Sequence, residues 1–178
     1  LGWEIAAAGA HIDRIVVQVG GGALASGVAG GLNEALRLGA IAHRPRIDTV
    51  QTVGAWPLKR AYDAVCAHPG GLTYARSHRR AFMWPWETEP HSIAHGILDD
   101  ETYDWAAVVE AMLTTGGRPV VAGEELLAKA NLLAHESTEI SVDPTGSAGL
   151  AGLLELRDHG VIGDDERVAV LFTGVDRS

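Results

Sequence analysis

The sequence predicts an α/β fold: a mostly parallel, twisted sheet lying between two layers of helices, a three-layer α-β-α arrangement. Two observations carry this expectation. Short runs rich in β-branched residues alternate with longer stretches whose apolar residues recur at helical spacing, the pattern of βα units. In addition, the first strand-like run ends in a glycine cluster that leads straight into a helix-like stretch, a strand-turn-helix junction.

Strands are expected at residues 15–19, 47–52, 119–121, 139–142 and 168–172, each short and mostly β-branched. Helices are expected at 25–38, 56–65, 103–113, 124–135 and 147–158, where apolar or Leu/Ala stripes repeat. Residues 68–101 form the least regular stretch, broken by Pro69-Gly70-Gly71, Pro85 and Pro90, and are expected to be a functional or interface excursion.

The 178 residues, 47% of them hydrophobic, suffice for one well-buried core, so a single domain over residues 1–178 is expected. A net charge of -9 without any Lys/Arg block opposes binding to nucleic acid. The lone Cys66 rules out an internal disulfide or a multi-cysteine metal site and fits a reducing cytoplasm. No apolar run is long enough to span a bilayer, and the first ten residues lack the basic start of a signal peptide, so no membrane partner is expected. Leu1-Gly2-Trp3-Glu4-Ile5-Ala6-Ala7-Ala8 reads like the end of a helix already under way, and the chain is expected to be part of a longer polypeptide.

The most informative segment is Ile15-Val16-Val17-Gln18-Val19-Gly20-Gly21-Gly22-Ala23-Leu24-Ala25-Ser26-Gly27. Glycines let successive backbone N–H groups face one concavity, and the following helix adds its positive amino end. A small dianion is thereby held without any lysine. Two other readings have to be weighed. Glycine can serve a tight strand-to-helix turn for packing alone. The spacing Gly20-x-Gly22-x-x-Ala25 also fits the dinucleotide fingerprint, which wants an acidic residue closing the second strand. Here that strand ends in Gln51-Thr52-Val53, and Asp48 lies too near its start, so the nicotinamide reading loses its main support.

Val19 to Gly27 resembles the phosphate loop of the pyridoxal-phosphate enzymes typified by threonine synthase, threonine dehydratase and tryptophan synthase β, the fold type II group. Three later segments agree in order: Ser92-Ile93-Ala94-His95-Gly96-Ile97, Val142-Asp143-Pro144-Thr145-Gly146-Ser147-Ala148-Gly149-Leu150, and Val170-Leu171-Phe172-Thr173-Gly174. The resemblance implies the large, cofactor-anchoring domain of such an enzyme. It implies that Gly20, Gly21, Gly22, Ala23 and Leu24 hold the phosphate of pyridoxal 5'-phosphate and that Thr173 meets the pyridine nitrogen. A hydroxyl there makes the ring a moderate electron sink, which suits β- or γ-elimination and replacement on small amino-acid substrates. A homodimer is expected on the same ground.

Family members attach the cofactor through a Schiff-base lysine near a serine in their amino-terminal part. No such motif occurs here, and Lys59 and Lys129 sit among ordinary polar neighbours of expected helices, so no catalytic residue is assigned and the chain alone is expected to be inactive. No metal ligand is assigned either, because Gln51 and Thr52 stand where metal-activated dehydratases of the family present a carboxylate. His91 and His95, followed by acidic residues, are interrupted by Pro90 and Gly96 and make a poor metal site. Trp84-Pro85-Trp86 is read either as an active-site or subunit cover or as ordinary packing. Ser26 and Ser147 lack the Gly-x-Ser-x-Gly context of a hydrolase. The alternative function is a non-catalytic phosphate- or nucleotide-binding α/β domain.

Overall fold

The computed structural model describes residues 1–174. A short helix α1 (Gly2–Ala7) precedes strand β1 (Arg14–Gln18), helix α2 (Ala23–Arg37) and strand β2 (Arg46–Thr52). Three helices follow, α3 (Pro57–Ala67), α4 (Gly71–Ser77) and α5 (Trp105–Thr115), before strand β3 (Pro119–Ala122). Helices α6 (Glu124–Ser137) and α7 (Ala148–Asp158) then lead to strand β4 (Val168–Val170). The strands form one sheet in the order β3-β2-β1-β4, and every pairing is parallel.

Strand alternation divides the core into two layers. Ile15, Val17 and Ile47 face α1 to α5, packing with Val28, Leu32, Leu58, Val109 and Met112. Val16, Val50 and Val120 face the opposite way, against Leu127 and Ala130 of α6 and Ala151 and Leu156 of α7. Helix α7 lies close on the sheet because Gly152 leaves no room for a side chain: a Cβ there would stand 2.2 Å from Val50 Cγ2. The sheet is thus covered on both faces, as three-layer α/β folds require.

Helix positions follow the sequence pattern with small shifts. α2 begins two residues earlier than its apolar stripe suggests, because the chain turns directly out of the glycine cluster at Gly22. α5 begins at Trp105, with Tyr103 and Asp104 in the preceding turn. Gln51 explains where α3 starts: its buried Oε1 accepts the N–H groups of Leu58 (2.9 Å) and Lys59 (3.1 Å) and so caps the helix from the end of a strand.

One expected strand is absent. Residues 139–142 are irregular, because the Val142 carbonyl accepts Asn131 Nδ2 (2.8 Å) and hydrogen-bonds His135 Nε2 (2.8 Å) from α6, while the Val142 N–H bonds the Ile140 carbonyl. The β-branched residues Ile140 and Val142 follow a tight turn tied to a helix. The excursion at 68–101 is also more ordered than its prolines suggest, containing α4 and two short 3₁₀ turns, Arg79–Ala81 and His95–Ile97. Its tryptophans are half-buried and enclose Arg60, whose guanidinium lies 3.8 Å from the Trp84 ring centroid and 5.0 Å from that of Trp86. This is the packing reading of the cluster, with cation–π attraction added.

At the amino-terminal edge of the sheet, Arg14 is 1% exposed and Asp48 fully buried. Their side chains form an ion pair, and Arg14 Nε also donates to Glu166 (2.8 Å), while Asp48 Oδ1 accepts the Arg118 N–H (2.7 Å). Four segments distant in sequence meet in this network. Among the described residues, no helix is long and apolar enough to cross a membrane.

Candidate functional site

The connections β1-α2-β2 and β2-α3-α4-α5-β3 step outward on one side of β1, with their helices on one face. The chain then crosses by α6 and α7, on the other face, to place β4 on the opposite side of β1. Right-handed crossovers produce this reversal, and it leaves a crevice beyond the carboxyl ends of β1 and β4, the switch point where α/β sheets bind ligands. A cavity of about 260 Å³ lies there, lined by residues 18–24 together with Gly96, Ile97, Thr145 and Thr173. A larger hollow of about 370 Å³ between α2 and α5 lies away from the carboxyl ends of the strands, so volume alone does not select the site.

Gly20, Gly21, Gly22, Ala23, Leu24 and Thr173 all line this one cavity, and all four sequence segments singled out above contribute to it. They are fastened to one another. The Gly96 N–H donates to Thr145 Oγ1 (3.0 Å), and a Cβ at Gly96 would stand 2.9 Å from the Thr145 methyl. The Asp143 side chain accepts the Gly146 N–H (2.6 Å) and lies so near Gly174 that a Cβ there would be 2.0 Å from its Oδ1.

The glycine loop is oriented by its carbonyls. Gly20 C=O accepts Thr102 Oγ1 (3.0 Å), and Gly21 C=O accepts the Asp104 N–H (3.0 Å). Among the described residues, the N–H groups of Gly20 to Leu24 have no protein acceptor. α2 starts at Gly22 without a side-chain cap and carries no acidic residue in its first turn. The unpartnered donors and the positive helix end form an anion cradle. Gly22 adopts φ +98°, the left-handed conformation that disfavours side chains. The glycines serve packing too: a Cβ at Gly20 would stand 2.1 Å from Asp99 Oδ2 and 3.1 Å from Ile97 Cα. Asp99 and Asp104 adjoin the loop but do not line the cavity.

Gln18 is the cavity-lining position that sequence reasoning passed over. It is 4% exposed, lines the cavity and donates from Nε2 to Thr173 Oγ1 (2.5 Å) and to the Gly146 carbonyl (3.3 Å). A carbonyl only accepts, so the Gly146 contact fixes which end of the amide carries the nitrogen. The Thr173 oxygen therefore receives a hydrogen, and its own hydrogen is left to point elsewhere. Gln18 Oε1 is buried and has no protein partner among the described residues. The available signal was a lone amide within the apolar run of residues 15–19.

Neither lysine lines the cavity: Lys59 pairs with Asp63 (2.5 Å), and Lys129 is exposed on α6. His91 and His95 are exposed, and His95 lies in a single 3₁₀ turn. Gln51, capping α3, is committed structurally.

A doubly covered parallel sheet with unpartnered loop N–H groups at its switch point is the ligand-binding arrangement of open α/β proteins. The chain belongs to the family described as pyridoxal-phosphate dependent enzyme, whose pattern matches residues 1–174. It is 25% identical over 174 residues to a threonine synthase of Methanocaldococcus jannaschii, covering 98% of this chain and 38% of that protein. It is 29% identical over 163 residues to a threonine synthase of Methanosarcina acetivorans, covering 91% of this chain and 36% of that protein. The chain therefore spans less than two fifths of the length of these relatives. Among solved structures, a threonine deaminase from T.th. superposes with a TM-score of 0.74 at 23% identity, covering 99% of this chain and 56% of that one. A processed threonine deaminase isoform 2 of Solanum lycopersicum gives 0.74 at 17% identity, covering 99% and 44%. These two likenesses establish the fold, that of fold type II pyridoxal-phosphate enzymes.

Proposed function

We propose that residues 1–178 form the cofactor-anchoring domain of a pyridoxal-phosphate lyase or synthase acting on a hydroxy- or phospho-hydroxy amino acid. The observation that supports this best is the convergence of four separate segments on a switch-point cavity whose loop N–H groups have no protein acceptor. The backbone N–H groups of Gly20, Gly21, Gly22, Ala23 and Leu24 hold the phosphate, with the amino end of α2 behind them. Thr173 faces the pyridine nitrogen, and Gln18, by donating to Thr173, leaves the threonine hydrogen free for that nitrogen. The cofactor, when bound, supplies an electron sink for carbanion chemistry. The lysine that carries it lies outside these residues, and the whole protein works as a homodimer in the cytoplasm, without nucleic-acid or membrane partners. Family membership disfavours the non-catalytic phosphate-binding alternative.

The test is the visible spectrum of the whole protein with pyridoxal phosphate, before and after borohydride, with this chain beside it. A visible band is expected that borohydride abolishes, leaving the cofactor fixed on a lysine outside the 178 residues, and that is absent from this chain. Absence of the band from the whole protein would assign the loop to a different anion. Gln18→Leu is expected to weaken cofactor affinity several-fold, as does Thr173→Ala, with no further loss in the double variant. Independent, additive losses would place Gln18 outside the Thr173 interaction.

A further inference from the structure

At the end of the sheet opposite the cofactor cavity, three side chains with metal-ligating atoms stand together. His11 and Asp13 immediately precede β1, and His43 lies in the loop between α2 and β2. One potential ligand atom from each falls within 4.8 Å of the other two. His11 Nε2 lies 2.9 Å from Asp13 Oδ1, and the His11 and His43 ring centroids are 4.6 Å apart. We propose that His11, Asp13 and His43 bind a divalent transition-metal ion, zinc foremost, which ties the α2–β2 loop to the start of β1.

Asp13 is the fixed point of this cluster. Its backbone N–H donates to the Arg167 carbonyl (2.9 Å), its carbonyl accepts the Arg46 N–H (2.9 Å), and its Oδ2 accepts the Arg167 N–H (2.9 Å). One carboxylate oxygen is thus occupied by the backbone before β4 and the other is presented to the imidazoles. A carboxylate held by an outer hydrogen bond is the usual support for a metal ligand.

The donor set selects the ion. Two imidazoles and one carboxylate suit zinc and its transition-metal neighbours, whereas calcium and magnesium prefer oxygen alone. Ligand atoms around tetrahedral zinc lie ~3.3 Å apart, given bonds of about 2.0–2.1 Å. The cluster spreads to 4.8 Å, and both histidines are exposed, so rotation of the rings closes the remaining gap. Two nearby cations are engaged elsewhere: Arg44 with Asn33 and the Thr114 carbonyl, and Arg46 with Glu166. Three ligands leave a fourth position open, and His11 and His43 also line a cleft of about 230 Å³ with the apolar Ile5, Ile12, Leu32 and Ile41. A water or a small ligand donor approaching through the cleft can take that position.

The experiment is zinc titration of the chelator-stripped whole protein against a competing chromophoric chelator, with melting temperature followed in parallel. One zinc equivalent is expected to bind at least tenfold more weakly in both His11→Ala and His43→Ala, and the zinc-dependent rise in melting temperature is expected to vanish in both. Both substitutions fall on exposed side chains, so the folded protein is retained, and a far-ultraviolet spectrum matching the parent verifies it. Unchanged zinc affinity and stoichiometry in the two variants, or a parent protein that takes up no zinc, would overturn the proposal.

Discussion

Replacing Gly22 by valine is expected to strip pyridoxal phosphate from the whole protein during gel filtration, with affinity falling at least a hundredfold. That factor corresponds to about 2.7 kcal/mol. The cause is local. Gly22 holds φ +98°, and a Cβ there would stand 3.0 Å from Thr102 Cγ2 and 3.1 Å from Asp104 Cβ. A β-branched residue cannot keep this conformation without strain, so the peptide planes on either side must rotate. The free N–H groups of Ala23 and Leu24 then no longer aim at one point. Gly21 makes the informative contrast, because its Cβ would meet Tyr103, an exposed ring that can move, 3.1 Å away. Gly21→Ala is therefore expected to retain most of the cofactor. Full retention by the Gly22→Val protein would remove the phosphate role from the loop.

Arg14→Met carries the largest expected loss of stability, about 3–5 kcal/mol, because Asp48 would be left buried without its cation. Urea midpoints at neutral pH measure it. The same network predicts acid sensitivity. The hydrogen bond from Arg14 holds the Glu166 carboxyl below its ordinary value of 4.5. A group whose folded pKa is depressed stabilises above its unfolded pKa and loses that contribution as pH falls through the folded one. The parent should thus lose this increment as the pH drops from about 5 through the Glu166 titration. Burial opposes the charge on Arg14, but Glu166 and Asp48 raise its pKa overall, so Arg14 remains charged throughout that window. In the Met variant the acid-dependent increment should be smaller; an identical pH slope in both proteins would show that Glu166 gains nothing from Arg14.

The sheet was legible where β-branched runs are flanked by turn residues, as in β1 and β2, because burial on both faces demands such runs. Residues 139–142 carry similar chemistry, yet side chains from α6 take the Val142 carbonyl, an arrangement invisible without knowing that Asn131 and His135 share a helix face toward it. Nothing local in the sequence marks Arg14 as a buried ion-pair residue, since its partners lie 34 and 152 residues away. The glycine loop was readable because backbone geometry is encoded locally. Gln18 was not, because its role depends on Thr173, 155 positions later.

The pairing of β4 with β1 also has a temporal side. As a nascent chain leaves the ribosome, β1, β2 and β3 can associate early, but the outer edge of β1 finds no partner within this chain until residues 168–170 have emerged. For that interval, Arg14, Ile15 and Val16 border an open row of backbone donors and acceptors, the kind of edge that recruits another chain. Translation speed over the last third of the sequence and access to holding chaperones therefore bear directly on yield, and late pauses should favour insoluble product.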